Sequence, residues 1–365
     1  MKKALIFLLA AWCFSTSAWA QKTKANKLVI VSFDGYRWKD VFRGADSGLF
    51  NNKQYNTQKQ PVRAEKYWAA TSKERREKLM PFFWGYFAKN GQIYGNRDLG
   101  NFVNVKNPYW FSYPGYNEIF TGYPDTLVNS NDFPPNPNVN VLEYINKQPG
   151  YQGKVAVFTS WDAYYRILNK ERSGLLINSG YSDLDIPSLT PAQQALNKAQ
   201  HDLPKIFGDS ERYDAITYGL ATDYLKQNHP NVLYLAFIET DSFGHQGKYD
   251  YYLDAAHGND EMLRKLWDYL QSDPYYKDQT TLMIVGDHGR GDDDLWRSHG
   301  RKVPHSDEIW FAVMGPQTKP LGEISAPGQL WQNQYAQTIA SFLGLKFPSP
   351  HIIGEPIKQV LGGKR

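Results

Sequence analysis

Apolar residues in this chain gather in short unbroken runs. Lys27-Leu-Val-Ile-Val-Ser-Phe33, Val155-Ala-Val-Phe-Thr159 and Thr281-Leu-Met-Ile-Val-Gly286 are examples. Runs of this length, rich in β-branched residues and closed by polar or glycine positions, read as strands buried on both faces. The pattern predicts strands over 27–33, 155–159, 232–238, 281–286 and 309–314. Between them, apolar positions recur at helical spacing over 210–227, 251–270 and 331–343. Pro81 interrupts a helical pattern across 72–88, which predicts two pieces or a bend. The Pro/Asn-rich stretch 129–140 reads as loop. Alternating strands and helices predict one large α/β domain, with a central, mostly parallel sheet flanked by helices. Its ligand site is expected at the C-terminal tips of the strands.

Polar residues of one chemical kind stand at those tips. Asp34-Gly35 ends the first run, and Glu239-Thr-Asp241-Ser-Phe-Gly-His245 follows the run at 232–238. Asp287-His288 ends the run at 281–286, and His299 and His305 precede the last one. Any one of these is an ordinary polar loop. Several carboxylates brought into one cleft, however, repel each other strongly unless a cation lies among them. Asp241 and His245, four residues apart, can converge on one ion if their segment is helical or turn-like. Upstream, Tyr109-Trp-Phe-Ser112-Tyr-Pro114 runs apolar residues up to a hydroxyl, and Pro114 suits a first helical turn. Ser112 is then either an N-cap or a nucleophile at a helix N-terminus, where a phosphate is favoured.

Composition narrows the choice. Residues 1–20 have the form of a signal peptide: Lys2 and Lys3, an apolar stretch from Ala4 to Cys13, then Ala18-Trp-Ala20 before Gln21. Cleavage at Ala20/Gln21 would leave residues 21–365 as one domain, expected to be periplasmic or secreted and without a stable membrane anchor. It also removes the only cysteine, so a metal must be held by His, Asp and Glu. Losing Lys2 and Lys3 takes Lys+Arg from 41 to 39 against 37 Asp+Glu. That near balance, without a basic run, argues against dedicated nucleic-acid binding. Aromatic residues make up 15 % of the chain, enough both for core packing and for a stacking pocket.

The ordered set Asp34, Ser112, Asp241/His245, Asp287-His288 and a final His before a strand ending in Gly315-Pro316 resembles the alkaline phosphatase superfamily. It is most similar to the nucleotide pyrophosphatase/phosphodiesterase branch, whose Thr-Gly-x-x-Pro run has a counterpart in Thr121-Gly-Tyr-Pro124. That branch usually has Thr where this chain has Ser112. The resemblance implies two Zn²⁺ ions, one held by Asp241, His245 and His305, the other by Asp34, Asp287 and His288 with Ser112. His305 is preferred to His299 because Pro304 fixes its approach and the last strand follows closely. The resemblance further implies a phosphoseryl intermediate on Ser112 and a small-molecule phosphate ester or nucleotide substrate. Tyr113 would stack on a base or aryl group. Asn129 or Asn131 would donate to a phosphoryl oxygen, and His299 would meet the substrate. Arg37, Arg290, Arg297 and Arg301 are further anion-binding candidates. The expectation is an exported zinc-dependent phosphodiesterase. Three alternatives stand beside it: a phosphomonoesterase, a Ser-type sulfatase (though Tyr116 stands where its signature needs Arg), and a non-enzymatic saccharide-binding protein.

Overall fold

The computed structural model describes residues 26–362, so the signal-peptide expectation at 1–20 lies outside the described residues. Ten strands form: β1 (Lys27–Phe33), β2 (Gly91–Tyr94), β3 (Asn101–Asn104), β4 (Val155–Thr159), β5 (Leu176–Ser179), β6 (Val232–Phe237), β7 (Thr280–Gly286), β8 (Phe311–Met314), β9 (Gly322–Glu323) and β10 (Gly328–Trp331). Eight of them make one sheet in the order β5-β4-β6-β1-β7-β8-β2-β9, and β10 pairs with β3 separately. The strands β5, β4, β6, β1 and β7 run parallel, while β8 is antiparallel to β7 and to β2.

Strand β1 shows why the apolar runs are unbroken. Leu28 and Ile30 join the core on one face of the sheet, Val29, Val31 and Phe33 the core on the other. Each face is covered by helices, so no position along the strand is left to water. Register then places the site. Phe33 lies opposite Phe237 on β6 and Gly286 on β7, so three parallel strands end level with one another. The residues that follow them emerge side by side at the centre of the sheet.

All five expected strands form, with ends shifted by up to two residues. The helix expected at 210–227 runs Asp214–Asn228, and that at 251–270 runs Tyr249–Ser272. Pro81 falls after the helix Ser72–Leu79, and a π-turn, Phe83–Phe87, follows it. The helix expected at 331–343 is shorter, Tyr335–Phe342, because Trp331 belongs to β10 and Gln332–Gln334 form a tight turn. The run 129–140 carries no helix or strand. Among the described residues no helix is long and apolar enough to cross a membrane.

Candidate active site

The level strand ends bring their polar residues together. Asp34 follows β1, Asp287-His288 follows β7, and β6 leads into the helix Glu239–His245. Gly35 has φ +56°, and a Cβ there would collide with the Asp241 carboxylate, so glycine is required for the close approach. Its backbone N–H donates to Asp287 Oδ1 at 3.0 Å. Asp34, Asp287 and His288 are fully buried.

Their arrangement is electrostatically incomplete. His288 Nδ1 lies 2.8 Å from the Gly289 carbonyl and donates to it, so Nε2 presents its lone pair. That Nε2 stands 3.3 Å from Asp34 Oδ1 and 3.3 Å from Asp287 Oδ2, neither of which accepts a conventional hydrogen bond. Three lone-pair donors aimed at one another in a buried pocket need a positive charge between them. Without a metal a proton serves. Burial works to lower the His288 pKa, but the Asp287, Asp34 and Asp241 carboxylates outweigh it and raise it to about 9. Burial and the neighbouring carboxylates push Asp34 and Asp287 above the usual carboxyl range. Asp34, Asp287 and His288 form one group able to hold a metal ion.

A second group abuts it. Asp241 Oδ2 is 3.1 Å from His245 Nε2, Asp241 Oδ1 is 3.7 Å from His299 Nε2, and the two histidine Nε2 atoms are 2.9 Å apart. The His299 ring stacks on His288, centroids 3.9 Å apart. Asp241, His288 and His299 also have metal-ligand spacing. Burial works to raise the Asp241 carboxyl, yet His245, Arg290 and His299 hold it well below the ordinary range. Burial first, then the His288 charge, lowers the His299 pKa well below its ordinary value. His299 thus stands ready as a neutral ligand.

Here the structure corrects the sequence reading. His305 does not reach the cluster. Its backbone has φ +71°, which turns the side chain toward Glu308 (Nδ1 to Oε1, 3.0 Å) and Asp292 (Nε2 to Oδ2, 3.4 Å). It remains 42 % exposed, against 9 % for the His299 side chain. His299, expected to meet the substrate, is the histidine that lies beside Asp241 and His245. One local signal marks it: Asp34, His288 and His299 each precede a glycine, where the chain can turn closely behind the side chain.

Ser112 opens the helix Ser112–Thr121 as its first residue, behind an extended Phe111 that provides no side-chain cap. Its Oγ is not used as a cap and lies 3.3 Å from His288 Nε2. The helix sits this close because Gly115 packs on the Asp287 carbonyl, where a Cβ would clash. One turn on, the Tyr116 hydroxyl donates to Asp34 Oδ2 at 2.9 Å. Tyr116 was missed from sequence. Tyr113 is also corrected: its ring is fully buried against Phe133 and its hydroxyl donates to the Pro134 carbonyl, so it offers no stacking face. Asn131 accepts from the Tyr113 N–H at 3.0 Å, beside Ser112 in the first turn of its helix, whereas Asn129 is exposed. Arg290 spends its buried guanidinium on Asp241 and on the Trp296 and Arg297 carbonyls, and Arg37 is held by Asp40. Both guanidinium groups are buried, and of the two only Arg37 keeps a nitrogen, Nη1, without a hydrogen-bond partner.

Residues 46–294 match the family model described as type I phosphodiesterase / nucleotide pyrophosphatase. The matched span includes Ser112, Asp241, His245, Asp287 and His288. Wild-type alkaline phosphatase PafA is similar in structure, with TM-score 0.60 at 13 % identity over 92 % of this chain and 99 % of that one. Phosphonate monoester hydrolase SpPMH from Silicibacter pomeroyi gives 0.55 at 14 %, over 93 % and 77 %. Lipoteichoic acid synthase LtaP from Listeria monocytogenes gives 0.54 at 13 %, over 93 % and 76 %. At these identities the likeness shows the fold alone. No curated protein matches the chain. By the family model, which spans more than half of the chain and all of the central segments except those of Asp34 and His299, the chain belongs to the type I phosphodiesterase / nucleotide pyrophosphatase family, and it is a phosphoester hydrolase.

Proposed function

We propose that this protein is an exported, zinc-dependent phosphodiesterase of the nucleotide pyrophosphatase kind, working through a phosphoseryl intermediate on Ser112. The observation that supports it most is the Ser112 hydroxyl beside the buried Asp34, Asp287 and His288, whose ligand atoms have metal-ligand spacing. Asp34, Asp287 and His288, with Ser112, would hold one zinc, and Asp241, His245 and His299 the other. Oxygen and imidazole donors without thiolate suit such a pair. When bound, the two ions supply positive charge to the phosphoryl oxygens and lower the pKa of the serine hydroxyl.

The protein's own residues do the rest. Ser112 Oγ, its proton passed to water, attacks phosphorus, and the bond from phosphorus to the departing oxygen breaks, that oxygen taking up a proton from water as it leaves. Water then cleaves the phosphoserine ester, returning the hydroxyl and releasing the phosphoryl group. Asn131, whose Oδ1 accepts from the Tyr113 N–H in the first turn of the Ser112 helix, is the candidate donor to a phosphoryl oxygen. Tyr116 and the Gly35 N–H fix the carboxylates, and the Gly289 carbonyl fixes the His288 ring.

Metal analysis of active protein should find about two zinc ions per chain, and a chelator should abolish turnover that Zn²⁺ restores. Ser112→Ala should keep the zinc and lose on the order of 10³-fold or more in kcat/KM. Active protein without stoichiometric divalent metal, or a near-fully active alanine variant, would overturn the proposal. Export rests on residues 1–20 and is checked by a mature chain that begins at Gln21.

A further inference from the structure

One carboxylate at the rim of this site belongs to neither metal group. Glu211 lies between the helices Pro191–Asp202 and Asp214–Asn228, in a segment laid across the tip of β4. Backbone bonds hold it there: Arg212 N–H donates to the Ser160 carbonyl at 2.9 Å, Asp162 N–H to the Ser210 carbonyl at 2.9 Å, and Glu211 bridges Trp161. Strand β4 neighbours β6, so this segment flanks the central cluster on the side away from β7. The Glu211 carboxylate reaches the helix that carries Asp241 and His245, where it accepts from the Ser242 hydroxyl at 2.5 Å.

Two facts give Glu211 a chemical meaning. It pairs with no Lys or Arg among the described residues; its hydrogen-bond partner is the neutral Ser242. It also lies within the electrostatic reach of the cluster. Burial raises its pKa to about 7 against the Ser242 hydrogen bond, and Asp241 and Asp34 add to the rise. Two metals would compensate the ligand carboxylates, whereas at Glu211 only the nearby His245 offsets part of the charge. Its hydrogen bond to Ser242, the residue after Asp241, sets that charge beside the second group.

We propose that Glu211 is a specificity residue that favours phosphodiesters over phosphomonoesters. The inference rests on the hydrolase reading above. A diester carries one negative charge on its phosphoryl group, whereas a monoester carries nearly two at neutral pH. Glu211 repels the second charge in a cleft of low dielectric, where unit charges interact more strongly than in water. Its second carboxylate oxygen can accept from the hydroxyls of a sugar or polyol on the diester's second arm.

The test measures kcat/KM of the zinc-loaded protein on an aryl phosphate monoester and the matching aryl diester. Glu211→Gln keeps size and one acceptor while removing the charge. It should raise the monoester-to-diester ratio about tenfold or more, chiefly by improving the monoester. Ser242→Ala, which releases the carboxylate without neutralising it, should shift the same ratio by a smaller factor. It decides the matter if the glutamine variant fails to fold. An unchanged ratio with zinc retained overturns the inference, as does an equal loss on both esters, which marks a purely structural role. Zinc-loaded wild-type protein inert toward both esters removes the hydrolase reading itself, a different outcome from an active enzyme with an unmoved ratio.

Discussion

The two halves of the site are built differently. Asp34, Asp287, His288 and Ser112 are each tied to a strand tip or to the first turn of a helix, and each is buried. The Tyr116 hydroxyl, the Gly35 N–H and the Gly289 carbonyl fix three of them from outside. The other half draws Asp241 and His245 from a short helix and His299 from the irregular segment 298–308. The His245 side chain is 48 % exposed, and one edge of the buried His299, Nδ1, has no hydrogen-bond partner. In the proposed reaction the rigid half carries the attacking group and the looser half the departing one. A departing group varies between substrates, and a less constrained half accommodates that variation. Precision is needed where the bond forms.

The largest expected effect tests whether His299 belongs to the looser half. His299→Ala should lose one of two zinc ions and on the order of 100-fold or more in kcat/KM, since it removes a ligand and not only a neighbour. His305→Ala should keep both ions and stay within about threefold, because its partners Asp292 and Glu308 form a half-exposed ion-pair network of modest value. Zinc content of the two purified variants decides between them. Loss in the His305 variant alone would restore the assignment read from sequence.

That assignment shows where the sequence stopped being legible. Strand tips could be read because buried parallel strands leave an apolar run with a definite end, and the next residue is the one delivered. Asp34, Asp287 and His288 were legible for that reason, and Asp241 with His245 by helical spacing. His299 and His305 lie in a segment of turns, where direction depends on φ at each residue and not on periodicity. Pro304 drew attention to His305, but the positive φ at His305 points it outward. Tyr113 departs similarly: the helix turns its ring into the core. Glu211, alone in an irregular stretch and near the site only through the β4–β6 pairing, left no pattern to follow.

A second prediction contrasts the halves by pH. In metal-free protein the His288 pKa is raised from its ordinary 6.5 to about 9. A group raised on folding stabilises fully below its unfolded value, and that contribution fades as pH rises through the folded one. Asp34 and Asp287, also raised, act in the same direction, since the fold disfavours their ionisation. Metal-free protein should therefore lose up to about 3 kcal/mol between pH 6.5 and 9. Zinc-loaded protein should be nearly flat over that window, because the ion replaces the proton. Thermal unfolding across this pH range, with chelator and with zinc, measures both. Parallel curves would mean that no proton occupies the place proposed for the metal.

The smallest expected effect probes how far the rigid half depends on its outer contacts. Tyr116→Phe keeps the buried ring, which packs 4.9 Å from Tyr164, and removes only the hydroxyl that donates to Asp34 Oδ2. The carboxylate then loses one of the bonds that orient it and leaves an acceptor unsatisfied. Outer contacts of this kind are worth about 10- to 100-fold in metal affinity. The lower end is expected here, because β1 and the Gly35 turn still hold the Asp34 backbone, whose carbonyl also accepts from Thr240 at 2.6 Å. Zinc affinity should fall about tenfold, and kcat at saturating zinc by less. If Tyr116→Phe instead matched His299→Ala in both measures, the strand tips would not be what fixes this half, and the contrast between rigid and loose halves would fail.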